Sequence, residues 1–147
     1  MWFSRKQVAK SSKDQAPGPS DQVTTKRQGD AAETLALKHL IKAGLKQVET
    51  NYRTPGRGGG EIDIIMSAPD GTLVFVEVRQ RSGQSHGGAG ASIGAVKQRR
   101  IILAARHYLM RFASLPPCRF DVVLIEGSQG NVNGVKLEWL QAAFDAS

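Results

Sequence analysis

Two carboxylates interrupt apolar runs in this chain. Asp63 lies within EIDII and Glu77 within VFVEV. Between the runs stands Pro69-Asp70-Gly71. Pro and Asp suit a type I turn and Gly suits the left-handed position after it, which predicts a three-residue hairpin loop. Ala68 then faces Thr72. Counting outward, Asp63 faces Glu77 on one side of the hairpin, with Cβ atoms roughly 5 Å apart. Glu61 and Arg79 form the next pair on that side. Ile62, Ile64 and Met66 occupy the other side against Val74, Val76 and Val78. A two-residue loop would shift the register by one and part the carboxylates.

Carboxylates this close repel each other. Partly buried, they need either a shared proton or a cation. Mg²⁺ takes hard oxygen ligands and is often held by one or two carboxylates plus water and phosphate oxygens. The plain alternative is a wet sheet face on which Glu61, Asp63, Glu77 and Arg79 pair their charges. Leu73 and Phe75 share the side of Glu77, which argues that this side is covered.

The elements that would position the pair follow from pattern. Residues 1–28 carry six Lys or Arg against Asp14 and Asp21, with Pro17-Gly18-Pro19 in their midst. They read as a disordered basic tail, with a folded domain over 29–147. Asp30 is placed to cap a helix, with Glu33 completing a capping box. Ala32, Leu35, Ala36, Leu40 and Ala43 recur at helical spacing, and Gly44 closes that helix. Leu45–Arg53 reads as a strand, Thr54–Gly60 as a glycine loop, and Ser82–Ala91 as a second loop. Ile93–Phe112 reads as a long helix, ended by Pro116-Pro117. Arg119–Ile125 is an apolar strand, Val132–Leu137 a last strand, and Glu138–Phe144 a short closing helix. This order gives an α/β fold around a mixed sheet.

The ordered set resembles a known family. It comprises Gly29-Asp30-Ala31-Ala32-Glu33, Asn51-Tyr52-Arg53, Gly60-Glu61-Ile62-Asp63-Ile64-Ile65, Val74-Phe75-Val76-Glu77-Val78-Arg79 with Arg81, Lys97, and Arg119-Phe120-Asp121-Val122-Val123. These residues resemble the YraN family of bacterial proteins, within the PD-(D/E)xK nuclease superfamily, and are similar to Holliday junction resolvases. The resemblance implies a restriction-endonuclease-like mixed sheet flanked by helices. It implies metal-assisted hydrolysis of phosphodiesters in structured or branched DNA. Glu33, Asp63 and Glu77 would hold Mg²⁺ or Mn²⁺, and resolvase relatives suggest a homodimer. Arg79 falls where the superfamily usually has lysine. Arginine cannot act as a base at neutral pH, although it can grip a phosphate. Lys97 could supply the missing ammonium if it points inward.

Charge agrees with a polyanionic partner. The 147 residues carry a formal net charge of +7, and from Val78 to Phe120 there are eight Lys or Arg and no Asp or Glu. Arg79, Arg81, Lys97, Arg99 and Arg100 are the expected phosphate contacts. The same side chains, with Arg106, could be no more than the wet face of a helix. Two other functions therefore stay open: a nucleic-acid-binding module of the same fold that has lost its chemistry, and an interaction domain for an acidic protein. Asp121 beside Arg119 reads as a structural ion pair rather than a ligand. No apolar run is long enough to span a bilayer. A single cysteine, Cys118, and the lack of an apolar signal segment fit a cytoplasmic setting.

Overall fold

A computed structural model of the chain describes residues 19–81, 93–127 and 135–146, with side chains from Gly29 onward. The expected loop over Ser82–Ala91 and the start of the last strand at Val132 lie outside the described residues, as do residues 1–18 of the tail. The elements are α1 (Pro19–Lys42), β1 (Lys46–Arg53), β2 (Glu61–Ser67), β3 (Leu73–Arg81), α2 (Ala95–Leu109), β4 (Cys118–Glu126) and β5 (Lys136–Phe144). The compact unit that carries the sheet spans Ala32–Ser147.

The five strands lie side by side in the order β1-β2-β3-β4-β5. Only β3 and β4 are parallel; every other neighbour pair is antiparallel. A parallel pair needs a crossover, and α2 lies in the connection between its strands. The mixed α/β architecture is the one expected. Two apolar layers explain why β3 reads as a nearly continuous apolar run. One gathers Ile65, Leu73, Phe75, Phe120, Val122 and Leu124 under Ile101, Ala104, Ala105 and Tyr108 of α2. The other gathers Ile64, Met66, Val74, Val76, Val123 and Ile125 under Ala32, Ala36 and Leu40 of α1.

The hairpin loop forms as its residues dictate. Gly71 has φ +91, and the amide of Thr72 donates to Asp70 Oδ1 at 3.0 Å. Ala68 N–H donates to Thr72 O at 2.8 Å, and the pairs Ser67–Leu73, Met66–Val74, Ile65–Phe75 and Ile64–Val76 follow in the expected register. Gly44 closes α1 with φ +107. The amides of Gly44 and Leu45 donate back to Ile41 and Leu40 carbonyls, a Schellman closure sealed by contact within the Leu40 and Leu45 layer.

Three expectations need correction. Helix α1 begins at Pro19, so Asp30 lies inside it and is not its cap. Ile62 packs with Tyr52, Ile65 and Phe75 on the α2 side, not with Ile64 and Met66. Glu138–Phe144 is strand, not helix. Its good helix formers are overruled by the ladder to β4, in which Val122, Val123 and Leu124 pair with Leu140, Trp139 and Glu138. Past Leu140 the register shifts, so that Gln141, Ala142 and Ala143 oppose Asp121 alone. Ala142 takes φ 51 there, and its amide donates to Asp121 Oδ1 at 2.9 Å.

Candidate functional site

The carboxylate pair forms where the hairpin ladder stops. Hydrogen-bonded and non-bonded pairs alternate along antiparallel strands. Ala68 and Thr72 are a bonded pair, so a continuing ladder would send the Val78 amide to the Ile62 carbonyl. It donates instead to Asp63 Oδ2, at 2.8 Å. The side chain of Asp63 has taken a main-chain position, and its carboxylate is held against β3 beside Glu77.

Glu77 is almost fully buried, with 6% of its surface exposed. Burial first, then the negative charge of Asp63, pushes its carboxyl from an ordinary 4.5 up to about 8, with Lys97 acting in the opposite direction. Lys97 reaches in from the first turn of α2, its Nζ 3.4 Å from Glu77 Oε2. Its side chain remains 43% exposed, so the ammonium meets both the carboxylate and solvent. Glu77 Oε1 is buried and has no hydrogen-bond partner. A buried, unmatched carboxylate oxygen beside a second carboxylate suits a hard divalent cation, which would replace the missing donor and cancel the repulsion.

The other predicted residues fall in different places. Glu33 is half-buried on α1, the helix that covers the opposite layer. Among the described residues no group of three His, Cys, Asp or Glu side chains is gathered that could hold a metal ion. The structure thus brings together Asp63, Glu77 and Lys97, and not the expected trio of acids. Arg79 is half-buried two residues beyond Glu77, in register with Leu124 of β4. Glu61 is in register with Arg53 of β1, and the expected Glu61–Arg79 pair lies beyond the β2–β3 register, which stops at Ile64–Val76. Arg81 is bound to Glu126 of the parallel neighbour at 3.5 Å. Arg100 donates from Nε to the Gly59 carbonyl at 3.3 Å, while Arg99 is exposed. Asp121 is fully buried and structural. It accepts from Arg119 Nε at 3.1 Å, Trp139 Nε1 at 2.8 Å and the Ala142 amide.

The glycine loop before Glu61 is a fixture of the site's frame. Thr54 Oγ1 accepts from the Gly60 amide at 2.9 Å, and the Thr54 amide donates to the Gly60 carbonyl. A Cβ on Gly60 would lie 1.7 Å from the Arg100 carbonyl oxygen. Gly60 therefore lets the start of β2 press against α2, close approach of backbone being one of the uses open to that loop. The sequence carried no signal for the role of Thr54. Nor did it show that Asn51, on β1 opposite Asp63, has φ 55.

The model of the family described as "Uncharacterised protein family UPF0102" matches residues 32–125, a stretch that holds both carboxylates and Lys97. The chain belongs to the UPF0102 family. This is the YraN family that its motifs resemble. A UPF0102 protein of Polaromonas sp. (strain JS666 / ATCC BAA-500) is 69% identical over the whole of both chains. One from Polaromonas naphthalenivorans (strain CJ2) is 68% identical, again over the whole of both. A third, from Albidiferax ferrireducens, is 67% identical over 84% of this chain and 91% of its own.

Proposed function

We propose that this UPF0102 protein is a metal-dependent endonuclease of the restriction-endonuclease-like class, acting on structured or branched DNA. The observation that carries the proposal is the buried Glu77, with one carboxylate oxygen unmatched, set beside an Asp63 whose direction is fixed by the Val78 amide. Asp63 and Glu77 would hold Mg²⁺ or Mn²⁺. Such a cation would polarise the phosphate, acidify a bound water and stabilise charge on the phosphorane oxygens.

The chain's own residues supply the rest. The Val78 amide keeps Asp63 from swinging into solvent. Lys97 brings a positive charge to Glu77 and is exposed enough to meet a phosphate. Arg79, two residues beyond Glu77 on β3, would make a bidentate phosphate contact, and its guanidinium stays charged throughout. β3 holds no lysine, so proton transfer by lysine would fall to Lys97 of α2. Arg99 and Arg100 extend the positive surface along α2. Cutting two strands at once would need two such sites, and so two copies of the chain.

The test is a cleavage panel of four-way junctions, flaps and duplexes, with Mg²⁺, Mn²⁺ or chelator, on wild type and Asp63→Ala. Metal-dependent nicking by wild type alone supports the proposal. A complementary measurement is the thermal midpoint against divalent metal. It should rise for wild type and stay flat for the double variant Asp63→Ala, Glu77→Ala. No rise at millimolar metal, together with no cleavage, removes the enzymatic reading.

Arginine at position 79 favours one second reading, a DNA-binding module that has kept the surface and lost cleavage. It predicts junction binding without metal-dependent products.

A further inference from the structure

Asp63 leaves the ladder at one place, and the strand on its other side is distorted at the same place. Tyr52 pairs with Ile62 and Thr50 with Ile64, so Asn51 stands opposite Asp63. Asn51 has φ 55, a left-handed backbone inside a strand. On β2 the side chains cease to alternate across this point, since Ile62 and Ile65 share the α2 layer while Ile64 lies in the other. The β2–β3 pairing also ends here, at Ile64–Val76. Four departures from regular sheet thus meet at one cross-strand pair.

We infer that Asn51 is a positioning residue for the carboxylate pair. Its left-handed turn lets β1 and β2 twist together at Asp63, which frees the Asp63 carboxylate to reach the Val78 amide beside Glu77. Asparagine suits the task because its short polar side chain tolerates this backbone, whereas β-branched residues do not. The Asn51 side chain is exposed, so replacing it empties no cavity; its effect travels through the main chain. Strain of this kind persists where surrounding structure holds it, and it gathers at working sites. The inference deepens the proposed function by naming what aims one of the metal-facing carboxylates. It has a readout that stands whether or not DNA is cut.

The experiment compares Asn51→Gly, Asn51→Val and Asn51→Ala with wild type. Amide hydrogen exchange is followed at Val78, with Ile65 and Val74 as internal references. Mn²⁺ affinity is measured on the same samples by paramagnetic resonance. Glycine should preserve both readouts. Valine should speed exchange at Val78 and weaken Mn²⁺ by about tenfold or more, while the reference amides stay protected. If the valine variant does not fold, alanine, which strains less, decides by the same comparison. Unchanged Val78 exchange in the folded variant overturns the inference. So does equal loss at all three amides, which would make Asn51 a general sheet residue. Selective loss at Val78 without cleavage by wild type leaves the inference standing and removes the nuclease instead.

Discussion

At the scale of the residue, Glu77 sets the pH behaviour of the metal-free protein. Its folded carboxyl is held at about 8 against an ordinary 4.5. Between these values the folded state binds more protons than the unfolded chain. The contribution of Glu77 to stability is therefore full below about 4.5 and is lost as pH rises toward 8, at up to about 1.4 kcal/mol per pH unit. Melting in chelator across this range should show that fall in wild type. Glu77→Gln should flatten it and melt higher at pH 8; an equal slope in both would refute the assignment to Glu77. The importance of Glu77 was legible, because a carboxylate in an apolar run needs a reason. The deflection of Asp63 was not legible. It depends on a side chain outcompeting a carbonyl for one amide, and no spacing rule encodes that contest.

At the scale of the element, the hairpin and β5 show opposite sides of legibility. Pro69-Asp70-Gly71 fixes its own loop type, and the loop fixes the register. One local signal therefore ordered all the pairs out to Ile64–Val76. β5 carries no such signal. Its Leu, Gln and Ala favour a helix, and only a buried partner on β4 makes it a strand. Removing that partner should be expensive. Asp121→Ala strands Arg119 and the Trp139 and Ala142 donors, and should cost about 3–5 kcal/mol in denaturant unfolding. The contact of α2 with the start of β2 is tested by Gly60→Ala. Its methyl would collide with the Arg100 carbonyl, so a loss of roughly 1–3 kcal/mol is expected, with no change in Asp70 loop geometry.

At the scale of the whole molecule, the net charge of +7 and the long stretch free of acids would suit an anionic partner. If that partner is DNA, log affinity falls linearly with log salt, by about 0.9 for each phosphate engaged. Arg99→Ala, on an exposed position, should shallow the slope by about 1 without a change in melting temperature. A flat salt profile would point to an acidic protein instead. Among the described residues no helix is long and apolar enough to cross a membrane. The outer strand β5 carries a further consequence. The border of a sheet can template a neighbour's backbone and seed fibrils. The excursion at Gln141–Ala143 interrupts that border, and the Ala142 amide is held there by Asp121. The acid that secures the strand would thus also oppose growth of the sheet through that edge.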